Sequence, residues 1–162
     1  MQVEIQAGAS EYKEQGECRA FSFSLPNYYG SDANGVKIRV SRIVPQDLDQ
    51  AGCADVAAKA CHLACMAVDV MRGRLNANLL DNFVCEQGIE RLLFMGELLN
   101  YEGSDLIRGN LPVIPLFLYG TVIDTDHFDA CIGISIGTEK YRVSMVLERQ
   151  GSRWTSTFLD FG

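Results

Sequence analysis

Along the last third of the chain, apolar and polar positions trade places every second residue. Phe128, Ala130, Ile132, Ile134 and Ile136 fall on one side, with Asp129, Cys131, Gly133 and Ser135 on the other. Tyr141, Val143, Met145 and Leu147 repeat the pattern against Lys140, Arg142 and Ser144. Strand side chains point alternately to the two faces of a sheet, so this period predicts strands with one apolar face. The boundaries read as 111–123, 127–137, 140–148 and 153–161. Asp124-Thr125-Asp126, Thr138-Glu139 and Gln150-Gly151-Ser152 supply turns at hairpin spacing. A four-stranded antiparallel meander follows, and its apolar face needs a cover.

The cover is predicted upstream. Val56, Ala60, Leu63, Ala67, Val70 and Met71 recur at helical spacing over residues 48–72. Alanines and cysteines widen that face until only Asp55, Lys59, His62, Asp69 and Arg72 form a polar stripe, as in a helix covered on more than one side. Asp47 or Asp49 can cap its start, and Gly73 ends it. A short helix near 78–84 and a third near 86–100 come next. Leu92, Leu93, Met95, Gly96 and Leu99 are expected to face inward. Residues 101–112 form a loop into the meander, with Leu106 and Ile107 tucked against the domain.

Nearer the N-terminus, Phe21, Phe23 and Leu25 alternate with small polar residues, as do Val36, Ile38 and Val40 with Lys37, Arg39 and Ser41. They predict a β-hairpin over 18–45, with Tyr28 and Tyr29 at its tip and a tight turn at Asn34-Gly35. Residues 1–17 read as a flexible start. The fold class is α+β: an N-terminal β-hairpin, then a long helix and two shorter ones packed on the meander, in one domain over 18–162 (18–45 hairpin, 48–100 helices, 111–162 meander).

Composition changes this picture little. A formal net charge of −7, with no basic run, argues against nucleic acid as a partner. No continuous apolar run reaches the ~18 residues of a membrane span. The first residues lack a basic start and an apolar signal region, so a cytoplasmic location and no membrane contact are expected. Six cysteines (Cys18, Cys53, Cys61, Cys65, Cys85 and Cys131) lie mostly in apolar contexts, as free thiols acting as small hydrophobes do. Cys61 and Cys65 stand one helical turn apart, a spacing that can give a metal two ligands, but no second pair completes a site. The expectation is therefore no metal and no cofactor.

Arg72-Gly73-Arg74 after the long helix, Leu79 a few residues on, and Arg153-Trp154 with Leu159 in the last strand carry a family likeness. With the order of elements from about residue 50, they resemble the nuclear transport factor 2-like superfamily, a cone-shaped α+β fold, and more narrowly an actinobacterial branch of it. The resemblance implies an apolar cone, which in the superfamily's enzymes holds a His or a carboxylate. It also admits isomerases, cyclases, dehydratases and proteins with no catalysis, so fold alone leaves function open.

The residues expected to line that cone are Phe128, Ala130, Ile132, Ile134, Ile136, Tyr141, Val143, Met145, Leu147, Trp154 and Phe158. Acid–base work requires a tunable group within reach of a substrate. Only Asp160 shares the inward parity of the last strand, with Tyr119, Tyr141 and His62 as further polar candidates. His127 sits among Asp124, Asp126 and Asp129, where acid–base or metal chemistry competes with ordinary turn formation. No phosphate loop, nucleophile elbow or Cys–His nucleophile pattern is present. The candidate pocket is Tyr119, Ile132, Tyr141, Met145, Trp154 and Asp160, with no catalytic residue assigned. The small residues Cys131, Gly133 and Ser135 suggest a face covered by the hairpin or by a second copy of the chain. The expectation is a non-enzymatic interaction or accessory protein, pairing with itself or with a protein partner. A small-molecule binder or an isomerase-like enzyme with an apolar pocket is the alternative, its ligand unknown.

Overall fold

The computed structural model describes residues 20–26, 35–44 and 46–162. The expected flexible start, Cys18, Tyr28 and Tyr29 lie outside them. The chain is α+β, and its sheet has six strands in sequence order, β1-β2-β3-β4-β5-β6. These are β1 (Ala20–Leu25), β2 (Val36–Arg42), β3 (Val113–Asp124), β4 (His127–Ile136), β5 (Glu139–Gln150) and β6 (Arg153–Phe161). The last four form the expected antiparallel meander. Strands β1 and β2 of the expected hairpin do not lie over the sheet's outer face; they extend the sheet, β2 pairing parallel with β3 from Lys37↔Phe117 to Arg42↔Val122, and the connection between them lies outside the described residues. Their inward residues Phe23, Leu25, Val36, Ile38 and Val40 thereby join the core.

Helix α1 (Gln50–Met71) crosses the inner face of the sheet, mainly over β3 and β4. Asp49 caps it by accepting from the Gly52 N–H at 2.7 Å. At the other end Gly73 takes a φ of 74° and the Arg74 N–H returns to Asp69 O, so the helix stops there. Most of α1 is buried, and alanines at 54, 57, 60, 64 and 67 bring its backbone close to the strands. By length and composition α1 is apolar enough to cross a membrane, contrary to the expectation that no segment would be; here that surface lies against the sheet.

A 3-10 turn, η1 (Ala77–Leu80), leads to α2 (Glu86–Tyr101), which packs on α1 and β6. A Cβ at Gly96 would stand 2.3 Å from Met71 O, so glycine permits this helix contact. Leu92 is buried as expected, whereas Leu93 is 44% exposed. Between η1 and α2, Phe83 and Cys85 exchange backbone hydrogen bonds with Ser156, which covers part of the β6 edge.

The stretch expected to be a loop before β3 contains one turn of helix, α3 (Asp105–Arg108), with Leu106 buried beneath it. Here Arg72-Gly73-Arg74 acquires a physical role. Arg72 Nε donates to Leu106 O at 3.0 Å and its Nη2 to Gly109 O at 3.1 Å, while Arg74 donates to Leu111 O and Asn110 O. Two guanidinium forks thus hold the carbonyls of the segment that delivers the chain to β3.

Candidate functional site

A cleft of about 420 Å³ opens where α1, η1 and the β5–β6 turn meet. Its wall is apolar: Leu63 and Met66 from α1, Leu79 and Phe83 from around η1, Leu147 from β5 and Trp154 from β6. Trp154, Leu147 and Leu63 are buried, whereas Leu79 and Phe83 stay 50% and 45% exposed and form an apolar lip. The polar lining is Lys59, His62, Ser152 and Arg153, and no aspartate or glutamate is among the lining residues. Local sequence explains the placement. Lys59, His62, Leu63 and Met66 recur at three- and four-residue spacing, so they share one side of α1. Gly151, at a φ of 64°, makes the tight turn that sets Ser152 and Arg153 at the mouth.

The residues expected to form a pocket are scattered by the structure. Trp154 lines the cleft, and so does His62, the polar candidate from the helical stripe. Ile132 and Met145 are buried in the helix–sheet core. Tyr141 is half-buried, its ring stacked on Phe161 at 5.2 Å. Tyr119 is 58% exposed on the outer face, tilted against Phe117. Asp160 and Phe158 correct the parity argument. A register shift between Val146 and Leu147 inserts an extra residue in β6. Trp154 and Leu159 therefore point inward, while Phe158 and Asp160 pair with the outward-facing Val146 and Ser144. At the sheet edge Arg91 lies over the Phe158 ring and 3.7 Å from the Asp160 carboxylate.

The small residues of β4 also have a cause within the chain. A Cβ on Gly133 would stand 2.1 Å from the Phe117 ring, so the neighbouring strand's aromatic lies over that glycine. The same device operates on the inner face, where the Phe128 ring covers Gly120. Cys131 and Ser135, flanking Gly133 on the outer face, are half-buried.

His127 forms a tight surface cluster. Its Nδ1 is 2.7 and 2.8 Å from the two Asp124 oxygens, and its Nε2 is 3.6 Å from Glu148. The Asp124 hydrogen bond raises the pKa of His127, and the same bond lowers that of Asp124. Arg149 pairs with Asp126 alongside. Among the described residues no group of three or more His, Cys, Asp or Glu side chains is arranged to hold a metal ion. Cys53, Cys61, Cys65, Cys85 and Cys131 are free. Burial, then the neighbouring Cys65 for Cys61 and Asp69 for Cys65, pushes both thiols up to about 12, far from the thiolate form that reacts or binds metals.

Comparison with protein-family models, characterised proteins and solved structures finds no match to this chain.

Proposed function

We propose that this is a non-enzymatic binding protein whose site is the cleft between α1, η1 and the β5–β6 turn, and whose ligand is a small, largely apolar molecule. One observation carries the proposal: the exposed apolar lip of Leu79 and Phe83 continues into a cleft walled by buried Leu63, Leu147 and Trp154. A concave, mainly apolar site with a few polar groups at its rim suits a small ligand, and about 420 Å³ is within the usual size range. The lining offers no paired acid and base to move a proton, which favours binding over catalysis. Trp154 is the chain's one tryptophan, so tryptophan emission reports on a side chain of the cleft wall. Decanol should alter that emission saturably. Leu79→Asp, a charge placed in the exposed lip, should abolish the response without lowering the unfolding midpoint. An unresponsive parent protein would count against the proposal.

Contact with another protein is a second reading, and α2 favours it. Phe94, Leu98 and Tyr101 are 60%, 47% and 92% exposed at the i, i+4, i+7 spacing of a docking helix. Glu90 and Glu97 flank Phe94, while Arg91 is engaged at Asp160 and Phe158. That acidic margin suits a basic amphipathic helix of another protein better than a second copy of this one. A synthetic Leu/Lys amphipathic peptide should bind and Phe94→Ser should weaken it. Self-association of the parent, abolished by Phe94→Ser, would instead assign the stripe to a second copy.

A further inference from the structure

We infer that the cleft's ligand carries a single carboxylate, held by Arg153 at the mouth, with its apolar portion against Trp154, Leu63 and Phe83. The inference rests on the cleft being the binding site, and adds the chemical class of what enters it.

The cleft's charge runs against the chain's composition. The chain has 21 acidic and 14 basic residues, yet the polar lining of the cleft is Lys59, His62, Ser152 and Arg153, with no acid. A site lined at random would be expected to carry the chain's acidic excess; this one carries the opposite sign. The cations are not equivalent. Lys59 is neutralised by Asp55 at 2.9 Å, one turn before it on α1. Arg153 has no carboxylate partner among the described residues. Arg149 lies over the Trp154 ring at 5.4 Å but is engaged by Asp126 at 3.2 Å, which leaves Arg153, the first residue of β6 and a lining residue at the exposed end of the cleft, as the cation free to meet an anion.

A guanidinium presents two parallel N–H groups that match the two oxygens of a carboxylate. Arg153 remains exposed, so binding an anion there does not require stripping its charge of water first. His62 adds a ring nitrogen among the lining groups, and Ser152 a hydroxyl. One unpaired guanidinium balances a monoanion. A phosphate monoester, near two negative charges at neutral pH, would leave charge uncompensated beside an apolar wall. The apolar lip, in turn, discriminates against small hydrophilic acids, which would leave Leu79, Phe83 and Trp154 without a partner.

The test uses the full chain and the emission of Trp154, with decanoate, decanol, decyl phosphate and decyltrimethylammonium below their micelle concentrations. Decanoate should bind about tenfold or more tightly than decanol, with the cation weakest. Arg153→Gln should remove the decanoate preference while leaving decanol unchanged, and Lys140→Gln, a cation in the next strand, should change neither. Unfolding curves of each variant establish that it is folded. Equal binding of decanoate and decanol, indifferent to Arg153→Gln, would overturn the carboxylate and leave an apolar cleft. Preference for decyl phosphate would overturn the monoanion argument. No response to any of the four would remove the cleft itself as a ligand site.

Discussion

Replacing Arg72 by methionine tests whether the Arg72-Gly73-Arg74 segment is a structural clamp. The Arg72 side chain is fully buried, with bonds to Leu106 O and Gly109 O at 3.0 and 3.1 Å and a longer one to Asp69 at 3.4 Å. Burial first, and then the like charge of Arg74, lowers its pKa, so holding this guanidinium here has a desolvation cost. Methionine is apolar and of comparable length, so it refunds that cost and leaves little cavity. It also leaves two carbonyls without their donor. Hydrogen bonds to a charged donor contribute about 1.5–3 kcal/mol each, and a buried carbonyl left unpaired costs about 1–3 kcal/mol. Leu106 is buried, but Gly109 is only half-buried, so water can replace the second bond. After recovering the desolvation cost, the net loss should be about 2–3 kcal/mol. In a chain of this size each kcal/mol moves the midpoint by about 2–4 °C, so Arg72→Met should melt about 4–12 °C below the parent. Circular dichroism measures the midpoint, and amide exchange over residues 105–111 should accelerate in the same variant. Arg72→Lys, which keeps the charge but not the fork, should fall between. A methionine variant as stable as the parent, with unchanged exchange, would refute the clamp.

Gly133→Ala should destabilise by about 1–3 kcal/mol because the new methyl meets the Phe117 ring. Adding Phe117→Leu should recover much of that loss in urea unfolding, and failure to recover it would break the pairing. NMR titration should place the pKa of His127 above its ordinary 6.5, and Asp124→Asn should return it. Because His127 is raised, its contribution to stability is complete below 6.5 and fades as pH rises through the raised value. Because Asp124 is lowered, its contribution is complete above 3.8 and fades as pH falls through the lowered value, so the pair is strongest between the two. A His127 pKa at or below the ordinary value would contradict the geometry.

Much of the fold was legible because burial imposes a period. The alternation of β4 and β5, and the polar positions Asp55, Lys59, His62 and Asp69 on α1, follow from which side meets the core, whereas Arg72, expected on the same polar stripe, is buried because it reaches the carbonyls of residues 106 and 109. The pairing of β2 with β3 was not legible. Some 70 residues lie between the two strands, and a strand's own alternation does not record which distant strand it joins. The outward turn of Phe158 and Asp160 was hidden for a local reason: one extra residue at the β5–β6 shift reverses parity, and neither sequence marks it. Gly133 was legible as a place of close approach, but the approaching group is Phe117 of the adjacent strand. Of the cleft's lining, sequence singled out Leu147, Trp154 and His62. Leu79 and Phe83 were missed as its lip, because a short 3-10 segment has too few turns to reveal which side stays exposed.

The most direct measurement of the cleft as a binding site is an NMR titration of the methionine methyl groups with decanoate. Met66 lines the cleft, whereas Met71 and Met145 are buried elsewhere in the core, at 3% and 2% exposure. A saturable shift of the Met66 methyl, with Met71 and Met145 unmoved, is the predicted result. An unmoved Met66, or shifts spread equally over all three, would contradict a ligand site between α1, η1 and the β5–β6 turn.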